Sequence, residues 1–494
     1  MKFSELLNKT HLNKYINVDT DFEVKGISFD SRNVSSDYVF FAVKGYKQDG
    51  NVYIRDAAKK GAKFIFCDKD SQIIPDSDLG IPVLKIPDIR KTLALFSTVF
   101  YGNPSRKINL IGITGTNGKT TISYLIKHIL ESTGSKCGLI GTINYSVGSQ
   151  NLIANLTTPD AIEINKMLAE MVNRNTGYCV MEVSSIALEL YRVYGLGFNS
   201  GIFTNLTSEH LDLHKNMLNY FNAKKILFDF LGDNTIAVSN MDDEYGTEIL
   251  QNTSARKIYY SVNKNSDYRA INESVSMEGM EFDIKTKRDI VKIKTKLTGR
   301  FNIYNITAAY AFAESIGVEK SIITESISKF EPVTGRFNTL KLPNEAYAVI
   351  DYSHTSDSLK NAIESAIEIR KHSNSSGRII TVFGCGGNKD RTKRPVMGKI
   401  ASELSDFTII TSDNPRFEEP MDIINEILKG VDKNSSFEVC ENREEAIKSG
   451  IKMSKKSDII LICGKGHETY QEVKGIKSYF DDKEIVLKYS SLAV

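Results

Sequence analysis

The sequence predicts an α/β protein of three consecutive domains. Its 494 residues suit about three domains, at roughly 100–200 residues for each. Short runs of β-branched residues alternate with stretches of helical periodicity along the chain, which is typical of sheets covered by helices. A glycine-rich turn lies between one such run and a helix, at residues 112–121. We place the domains at residues 1–106, 107–333 and 334–494.

The composition is that of an ordinary globular protein. Hydrophobic residues make up 41% and charged residues 25%, and 63 Lys and Arg nearly balance 61 Asp and Glu. The net charge of +2 argues against a surface devoted to nucleic acid or to an anionic membrane. The sequence has no secretory signal and no apolar run of the ~18–20 residues that a membrane span needs, and its cysteines are scattered. We therefore expect a cytoplasmic protein with reduced cysteines, neither bound to nucleic acid nor inserted in a membrane.

The first two domains are predicted from the order of their elements. In the first, strands at residues 38–43 and 63–67 flank a helix at 54–60, and Asn103-Pro104-Ser105 is typical of a linker. The second opens with an apolar run at residues 108–114, followed by the glycine-rich turn and a helix. Further buried strands are predicted at 178–183 and 201–205, which indicates a parallel sheet covered on both faces.

The third domain has the pattern of a doubly wound, Rossmann-like sheet. Its predicted strands are residues 347–352, 378–384, 407–411 and 458–464, with helical stretches between them. In such folds, ligands bind beyond the carboxyl ends of the strands. The polar motifs of this domain follow those ends.

The glycine-rich turn has the features of a phosphate loop, formed by Gly115-Thr116-Asn117-Gly118-Lys119-Thr120-Thr121. Its backbone N–H groups and the N-terminus of the following helix attract phosphate oxygens. Lys119 can reach the outer phosphates, and the Thr120 hydroxyl can bind Mg²⁺. Ile113 replaces the first glycine of the general phosphate-loop pattern. The loop predicts nucleotide binding without identifying the reaction.

This variant of the loop resembles that of the Mur ligases and their folylpolyglutamate synthetase relatives. The resemblance extends over essentially the whole chain and implies a UDP-binding domain, a central P-loop ATPase-like domain and a C-terminal Rossmann-like domain. It also implies an ADP-forming acid–amino-acid ligase of peptidoglycan synthesis that acts as a monomer with ATP and two Mg²⁺ ions. Its substrates would be UDP-N-acetylmuramoyl-L-alanyl-D-glutamate and a diamino acid, joined through an acyl phosphate.

Two side chains at strand ends could hold a hard cation near the loop, namely Glu182 and His210. From the residues alone, capped or hydrogen-bonded loop positions are the alternative, but the resemblance implies the family's second magnesium site. From the sequence alone, we interpret Lys224 as a solvated lysine on a helix. The resemblance instead implies a lysine that is carbamylated by CO₂ and shares a Mg²⁺. Ile186 stands where many members of the family have a histidine. The implied metal ligands are Thr120, Glu182, His210 and carbamylated Lys224, and the implied catalytic residues are Lys119, Lys224, His210 and His354.

Polar residues near the second boundary resemble the family's nucleotide-binding positions. The amides of Asn302 and Asn305 can read a purine edge, and Asp351 can accept ribose hydroxyls. Arg336 can offer a guanidinium fork to phosphate. Taken singly, each is more often a cap or turn residue. His354 is a candidate base for the incoming amine.

The acceptor end is implied by matches in the first two domains. Ser31 lies in an Asp-Ser-Arg motif that resembles the UDP-sugar-binding end of Mur ligases, although alone this motif is more often a turn. Thr157, Thr158, Ser184 and Arg192 match positions that hold the sugar-peptide. Folylpolyglutamate synthetases lack such a first domain.

Two motifs of the third domain indicate an amino-acid substrate. A guanidinium and a carboxylate are what the carboxylate and ammonium of a free amino acid require. The Asp-Asn-Pro-Arg motif resembles that of ligases that add meso-diaminopimelate, whereas lysine-adding relatives lack the arginine. Lys389 stands where such ligases usually have arginine, so lanthionine or L-lysine stays an alternative to diaminopimelate. The predicted contacts are Lys389, Asp413, Asn414, Pro415, Arg416, Gly464 and Glu468.

Two other functions remain open from the sequence. One is an amide ligase of this family with another acceptor, such as D-alanyl-D-alanine addition or polyglutamylation. The other is a nucleotide-dependent switch or binding protein without ligation, because phosphate loops also serve switches.

Overall fold

The computed structural model describes residues 1–15, 21–45, 48–71, 79–209 and 211–493. The chain has a mixed α/β fold, as predicted, and divides into two compact units. The first unit contains Met1–Thr114, Ser135–Gly201 and Ala223–Thr235, and the second contains Gly115–Gly134, Ile202–Asn222 and Ile236–Val494. The three domain boundaries inferred from the sequence stay a prediction.

The described residues form fifteen α-helices and twenty-three strands. The α-helices are α1 (Phe3–Lys9), α2 (Ile54–Lys59), α3 (Ile89–Phe100), α4 (Lys119–Ser132), α5 (Ala161–Asn173), α6 (Ser185–Glu189), α7 (Leu211–His214), α8 (Met217–Asp229), α9 (Phe301–Ser315), α10 (Lys320–Lys329), α11 (Ser356–His372), α12 (Lys393–Leu404), α13 (Pro420–Leu428), α14 (Arg443–Met453) and α15 (Asp482–Tyr489). The strands are β1 (Gly26–Ser28), β2 (Tyr38–Ala42), β3 (Ala62–Asp68), β4 (Val83–Ile86), β5 (Asn109–Thr114), β6 (Cys137–Ile140), β7 (Asn144–Val147), β8 (Gln150–Ile153), β9 (Tyr178–Glu182), β10 (Ser200–Phe203), β11 (Ile236–Asn240), β12 (Arg256–Ser261), β13 (Tyr268–Val275), β14 (Met280–Lys285), β15 (Ile290–Thr295), β16 (Asn338–Lys341), β17 (Tyr347–Asp351), β18 (Ile379–Phe383), β19 (Phe407–Ile410), β20 (Phe437–Val439), β21 (Ile459–Cys463), β22 (Tyr470–Val473) and β23 (Ile476–Tyr479).

The first unit begins with a four-stranded parallel sheet in the order β1-β2-β3-β4. Its core is aromatic, because Phe3, Phe41, Phe64, Phe66 and Phe96 are buried and their rings contact one another. Burial of rings of this size stabilises a small sheet that has a helix packed on it.

The same unit also contains a mixed set of strands. β5 and β6 both pair with β9 in parallel, whereas β6-β7 and β7-β8 are antiparallel. The sequence predicted a parallel sheet here, which the β5–β9 and β6–β9 pairs confirm, and it missed the β7–β8 hairpin. Only residues 148 and 149 separate β7 from β8, and so short a connection permits only antiparallel pairing. All four residues of β8 are exposed, so the strand has no apolar pattern to predict it.

The second unit has two groups of strands. In one, β11, β12 and β13 are parallel, and β13, β14 and β15 continue as antiparallel neighbours, which were not predicted either. The other is a six-stranded sheet in the order β16-β17-β21-β18-β19-β20. It is parallel except for β16, and its four predicted strands are β17, β18, β19 and β21. None of the helices in the described part of the chain has the length and apolar character needed to cross a bilayer.

Candidate functional site

The phosphate loop, defined here as residues 115–120, connects β5 to α4 and requires both of its glycines. Gly115 has a φ of 146° and Gly118 a φ of 88°. A Cβ on Gly115 would lie 1.8 Å from Thr204 Oγ1, and a Cβ on Gly118 would lie 2.4 Å from Asn305 Oδ1. Any side chain at either glycine would therefore clash with a residue that supports the loop. The loop ends at the N-terminus of α4, where backbone N–H groups bind phosphate.

The segment after β10 holds the loop by hydrogen bonds. The carbonyl of Asn205 accepts the N–H of Thr116 at 2.8 Å, and Asn205 Oδ1 accepts the N–H of Asn117 at 2.9 Å. Thr204 Oγ1 donates to the carbonyl of Asn117 at 2.6 Å. The backbone of the loop is therefore fixed before any nucleotide binds, which reduces the entropy lost on binding.

Lys119, the predicted phosphate-binding lysine, lies within the loop. Its Nζ donates to the carbonyls of Gly115 at 2.6 Å and Thr116 at 2.8 Å. The ammonium is thus held at the turn where phosphates bind in this kind of loop.

The predicted adenine-binding amides lie on α9 beneath the phosphate loop. Asn302 and Asn305 are buried, and Asn305 Nδ2 donates to Asn302 Oδ1 at 2.8 Å. Asn302 Nδ2 in turn donates to the carbonyl of Thr298 at 2.7 Å. Their observed contacts are with the protein, and a contact with the purine stays a prediction.

Arg336 brings a guanidinium to the first turn of α4. Its Nη2 donates to Thr120 Oγ1 at 3.0 Å, and its guanidinium carbon lies 4.7 Å from the centre of the Tyr352 ring. Its Nε is buried and has no hydrogen-bond partner among the described residues. A planar cation with an unused donor beside the Thr120 hydroxyl suits a phosphate oxygen.

Asp357, on the first turn of α11, contacts the phosphate loop directly. Its Oδ2 accepts hydrogen bonds from Asn117 Nδ2 at 2.8 Å and from Thr207 Oγ1 at 3.1 Å. Asn361, one turn further along α11, donates to the same oxygen at 3.0 Å. Burial raises the pKa of Asp357, while these donors favour its charged form. The sequence analysis did not select this residue.

Asp351, predicted to bind ribose, stabilises the turn after β17. Its carboxylate accepts the N–H of Phe337 at 2.8 Å and the N–H of Ser353 at 2.9 Å, and it is buried. These bonds attach the segment before β16 to the end of β17. A ribose contact stays a prediction.

His354 faces a carboxylate. Its Nδ1 lies 2.8 Å from the carbonyl of Tyr352, which can only accept, so we assign the proton to Nδ1. Its Nε2 lies 3.5 Å from Glu209 Oε1. A neutral imidazole with this tautomer can accept a proton at Nε2. Nearby, burial and the Arg336 guanidinium lower the pKa of His467 to about 3, so that imidazole stays neutral.

The predicted amino-acid contacts come together beyond β19 and β21. Asn414 Nδ2 donates to Glu468 Oε2 at 2.7 Å. Burial and the charge of Asp413 raise the pKa of Glu468. Gly464 has a φ of 120°, and a Cβ there would lie 2.6 Å from Asp413 Oδ2, so only glycine fits. The sequence therefore identified neighbouring residues at one edge of the sheet.

Arg416 is held in an unusual backbone conformation, with a φ of 54°. Its N–H donates to the carbonyl of Glu472 at 2.9 Å, and its Nη1 donates to the carbonyl of Gly387 at 2.9 Å. Its Nε lies 3.6 Å from Glu472 Oε2. Pro415 is buried, and its carbonyl oxygen lies 1.9 Å from where a Cβ on Gly387 would stand. These contacts fix the guanidinium beside the loop that follows β18.

Lys389 lies on that loop and is exposed. The preceding residue, Asn388, accepts the N–H of Phe417 at 3.1 Å and donates its own N–H to Glu418. Glu418 also accepts a hydrogen bond at 2.9 Å from Arg394, whose side chain is fully buried. Hydrogen bonding to Arg394 holds the pKa of Glu418 at about 2. The Lys389 loop and the Arg416 loop are thereby fixed to each other.

The acceptor-site residues predicted in the first unit surround the end of β9. Thr158 Oγ1 donates to the carbonyl of Glu182 at 2.8 Å and accepts the N–H of Ser184 at 3.0 Å. Arg192 Nη1 donates to the carbonyl of Thr158 at 2.8 Å. Thr157 Oγ1 lies 3.2 Å from Thr142 Oγ1. Four of the five predicted residues thus lie in one hydrogen-bonded group, and Ser31 lies apart from it in sequence, in a short turn capped by Asp30.

Glu182, a predicted metal ligand, is fully buried at the end of β9. Its two oxygens accept the N–H of Thr142 at 3.0 Å and the Thr142 hydroxyl at 2.9 Å. A carboxylate oxygen is the kind of ligand that a hard cation such as Mg²⁺ prefers. Lys224 lies on α8 with 1% of its surface exposed, which contradicts the reading as a solvated lysine. His210 lies outside the described residues.

The sequence analysis missed one side chain of the first unit, Thr142, and three of the second unit, Glu209, Asp357 and Lys465. Asp357 carries a weak signal, since an acidic residue in the first turn of a helix is usually explained by the helix dipole. Lys465 stands within the Gly-Lys-Gly-His-Glu motif, but only its burial reveals that it differs from an ordinary loop lysine. Thr142 and Glu209 carry no sequence signal that separates them from other polar loop residues.

Comparison with known families matches the chain in three places. The description Mur ligase family, catalytic domain, covers residues 23–101, and Mur ligase middle domain covers residues 113–313. Mur ligase, glutamate ligase domain, covers residues 335–466.

Relatives of full length are similar to the chain. A protein of Clostridium tetani named UDP-N-acetylmuramoyl-L-alanyl-D-glutamate–2,6-diaminopimelate ligase is 42% identical over 489 residues, which is 98% of each chain. A protein of Bacteroides fragilis with the same name is 39% identical over 497 residues and covers 100% of both chains. A solved structure of an enzyme so named superposes with a TM-score of 0.70 at 28% identity and covers 99% of each chain.

Proposed function

Because this chain belongs to the Mur ligase family, we propose that it adds meso-2,6-diaminopimelate to UDP-N-acetylmuramoyl-L-alanyl-D-glutamate with cleavage of ATP to ADP and phosphate. The reaction forms an amide bond and belongs to peptidoglycan synthesis. The observation that carries this proposal is the group of Asn414, Arg416 and Glu468 beyond one sheet edge, in a chain that also holds Lys119 in a phosphate loop. Relatives that match the chain from end to end are named for this reaction.

The first step is transfer of a phosphoryl group. A carboxylate oxygen of the D-glutamyl residue attacks the γ-phosphorus of ATP, the bond to the β-phosphate oxygen breaks, and ADP leaves. Lys119 and Arg336 offset the charge that develops on the transferring group. The backbone N–H groups of the phosphate loop hold the remaining phosphates. The product is an acyl phosphate, which is activated for attack by an amine.

Magnesium is expected at this site, where it would screen the charge of the phosphates. In our proposal Thr120, Glu182, His210 and Lys224 hold two ions, and the buried carboxylate of Glu182 has the oxygen chemistry that a hard cation prefers. Carbamylation of Lys224 joins the neutral amine to CO₂ and releases a proton. Burial of the lysine favours that neutral amine, and the anionic product can then bind a cation.

The second step is attack of the amine on the acyl carbon, with loss of phosphate. The amine must give up a proton, and we propose that His354 accepts it at Nε2. The carbonyl of Tyr352 fixes the tautomer, and Glu209 Oε1 lies 3.5 Å from the Nε2 that would receive the proton. His467, held neutral near pKa 3, is too weak a base for this role.

The UDP-sugar-peptide, the diamino acid and ATP bind at different residues. We propose that Ser31, Thr157, Thr158, Ser184 and Arg192 hold the UDP-sugar-peptide. Asp413, Asn414, Pro415, Arg416, Gly464, Glu468 and Lys389 hold the diamino acid. Asn302, Asn305 and Asp351 serve the adenosine of ATP. The loop residues Gly115 to Thr120, with Thr121 and Arg336, serve its phosphates.

The diamino acid itself has one alternative. Lys389 is a point charge where an arginine fork is usual, so lanthionine, which also has a second ammonium–carboxylate pair, is the second candidate, and L-lysine the third. We further propose that the protein acts as a monomer in the cytoplasm.

An ADP-release assay tests the function. The enzyme is incubated with ATP, Mg²⁺ and UDP-N-acetylmuramoyl-L-alanyl-D-glutamate, and meso-diaminopimelate, lanthionine, L-lysine or D-alanyl-D-alanine is added in turn. We expect ADP release only when both the acceptor and a diamino acid are present, with the highest kcat/KM for meso-diaminopimelate. Equal ATP hydrolysis without them would instead support a nucleotide-dependent switch.

A further inference from the structure

Lys465 is the buried cation of the amino-acid site. It follows β21 in the Gly-Lys-Gly-His-Glu motif, and its side chain is 0% exposed. A lysine is almost never fully buried unless it is paired. The steps proposed above leave this lysine without a role.

The contacts of Lys465 reach two proposed substrate-binding residues. Its Nζ donates to Asn414 Oδ1 at 3.2 Å and to the carbonyl of Tyr470. It also lies 3.5 Å from Glu468 Oε2. One ammonium therefore touches the amide and the carboxylate that we assign to the diamino acid, as well as the first residue of the β22–β23 hairpin.

These donors determine how the Asn414 amide is turned. Its Oδ1 accepts from Lys465 Nζ and from the N–H of Glu472 at 2.9 Å. Two donors on the same side require an oxygen there, so the NH₂ group must face the other way. It donates at 2.7 Å to Glu468 Oε2. Lys465 thus fixes the orientation of Asn414, and Asn414 fixes the position of the Glu468 carboxylate.

Lys465 also supplies positive charge where carboxylates gather. Burial lowers the pKa of Lys465, whereas the charges of Asp413 and Glu468 raise it. Arg443, another buried cation, is paired with Asp482 at 2.7 Å, with both side chains fully buried. Glu468 must be ionised to bind an ammonium group. Its pKa is raised by burial and by Asp413, and is lowered by Lys465, Asn414 and His354.

We propose that Lys465 is a positioning residue for the diamino acid: it orients Asn414 and aligns the Glu468 carboxylate to receive the substrate's ammonium group. This inference rests on the function proposed above. It assigns Lys465 no contact with the substrate, ATP or the UDP-sugar-peptide.

Steady-state kinetics of two variants test this role. Lys465→Met removes the charge and the donor, whereas Lys465→Gln keeps an N–H donor for Asn414 and Tyr470 without the charge. For both, we expect KM for the diamino acid to rise about tenfold or more, because a charged hydrogen bond is lost beside the binding residues. KM for ATP and for the UDP-sugar-dipeptide should stay within about twofold, because neither substrate contacts this group.

The pH profile adds a readout that a purely structural role would not change. Without the cation, the carboxylate of Glu468 protonates more readily. The rise of KM for the diamino acid on acidification should therefore begin at higher pH in both variants than in the wild type.

Lys477→Met is the matched control. Lys477 is exposed on β23 and, like Lys465, faces the Tyr470 ring, at 4.0 Å from its centre, so the same chemical change is made beside the same aromatic residue. Its three KM values should match those of the wild type.

Unchanged KM for the diamino acid in a folded Lys465 variant, or equal increases in all three KM values, would overturn the inference. If Lys465→Met does not fold, Lys465→Gln decides the outcome. A wild-type enzyme that releases no ADP with any diamino acid would refute the proposed function instead.

Discussion

Asp357 Oδ2 accepts a hydrogen bond from Asn117 Nδ2 at 2.8 Å, so a carboxylate of α11 holds the phosphate loop through a side chain 240 residues away in sequence. Thr207 donates to the same oxygen at 3.1 Å. Through Asp357, the loop that we assign to ATP and the helix that follows the β17 turn share one hydrogen-bonded group. This arrangement would align the reacting groups, because small displacements of bound reactants reduce rates strongly.

Replacing Asp357 with alanine should therefore reduce catalysis more than folding. We expect Asp357→Ala to lower kcat about tenfold or more and to raise KM for ATP, because Asn117 and Thr207 lose their shared acceptor. Glu364→Ala is the control, because Glu364 is an exposed residue of the same helix that pairs only loosely with Lys360, at 3.7 Å. ADP release and the thermal unfolding temperature are the measurements. Wild-type kinetics in Asp357→Ala would show that this contact has no part in the reaction.

Lys224 and Lys225 are adjacent on α8, but only Lys224 is buried. Lys224 has 1% exposure, whereas Lys225 forms an i,i+4 pair with Asp229. If Lys224 is carbamylated, Lys224→Ala should lose about 100-fold or more in kcat, because a cation-binding group disappears. Millimolar short carboxylic acids should partly restore the activity by replacing the carbamate.

Lys225→Ala is the control for this experiment and should keep near wild-type activity with no response to carboxylic acids. Mass spectrometry cannot replace the kinetic test, because carbamates decompose on acidification. Full activity of unsupplemented Lys224→Ala would refute the role of Lys224. Rescue of Lys225→Ala in its place would move the role to the neighbouring lysine.

Glu418 predicts a pH dependence of stability. Hydrogen bonding to the buried Arg394 lowers its pKa from 4.5 to about 2. The stabilisation is therefore fully present above the unfolded value of 4.5, and it is lost as the pH falls from there towards 2. We expect Glu418→Gln to reduce the free energy of unfolding by about 3 kcal/mol at pH 7, because one partner of a buried cation is removed.

The difference between Glu418→Gln and the wild type should shrink steadily as denaturant unfolding is repeated from pH 5 towards pH 2.5. Glu419→Gln is the matched control, because Glu419 is exposed and pairs with the exposed Lys474 at 3.1 Å. Exposed pairs contribute about 0–1 kcal/mol, so this variant should unfold like the wild type. A stability difference for Glu418→Gln that does not change with pH would contradict the role of its charge.

The parts of the fold that the sequence predicted are those with a local pattern. β17, β18, β19 and β21 are short apolar runs buried on both faces, and β-branched residues in such runs predict strands. The hairpin strands were missed because they are half exposed and polar. β15 (Ile290–Thr295), for example, has two lysines on its exposed side.

The same distinction holds for the site. Lys119 and Arg416 lie in motifs whose chemistry is visible locally, so they were selected from the sequence. Asp357 and Lys465 were not, because their roles depend on partners brought near by the fold: Asn117 is 240 residues from Asp357, and Asn414 is 51 residues from Lys465. Burial, which separates Lys224 and Lys465 from the other lysines, is also a property of the folded chain.

Lys389 offers a test of the diamino acid itself. Lys389 is exposed on a loop that the hydrogen bond from Asn388 to Glu418 attaches to the Arg416 loop. The backbone that carries the Lys389 side chain is therefore held in place. A lysine binds a carboxylate through a point charge, whereas an arginine binds it through two parallel N–H donors. We expect Lys389→Arg to raise kcat/KM for meso-diaminopimelate by about fivefold, the effect of one added charged hydrogen bond.

The size of this gain across substrates identifies the group that Lys389 binds. Lanthionine has a second carboxylate and should gain from Lys389→Arg, whereas L-lysine has none and should not. Lys399→Arg, on an exposed residue of α12 with a loose pair to Glu403 at 3.7 Å, is the control and should change none of the three kcat/KM values. An equal gain with L-lysine would show that residue 389 does not contact the distal carboxylate. The specificity for a diamino diacid would then have to come from Arg416, whose guanidinium is already fixed by the carbonyl of Gly387 and by Glu472.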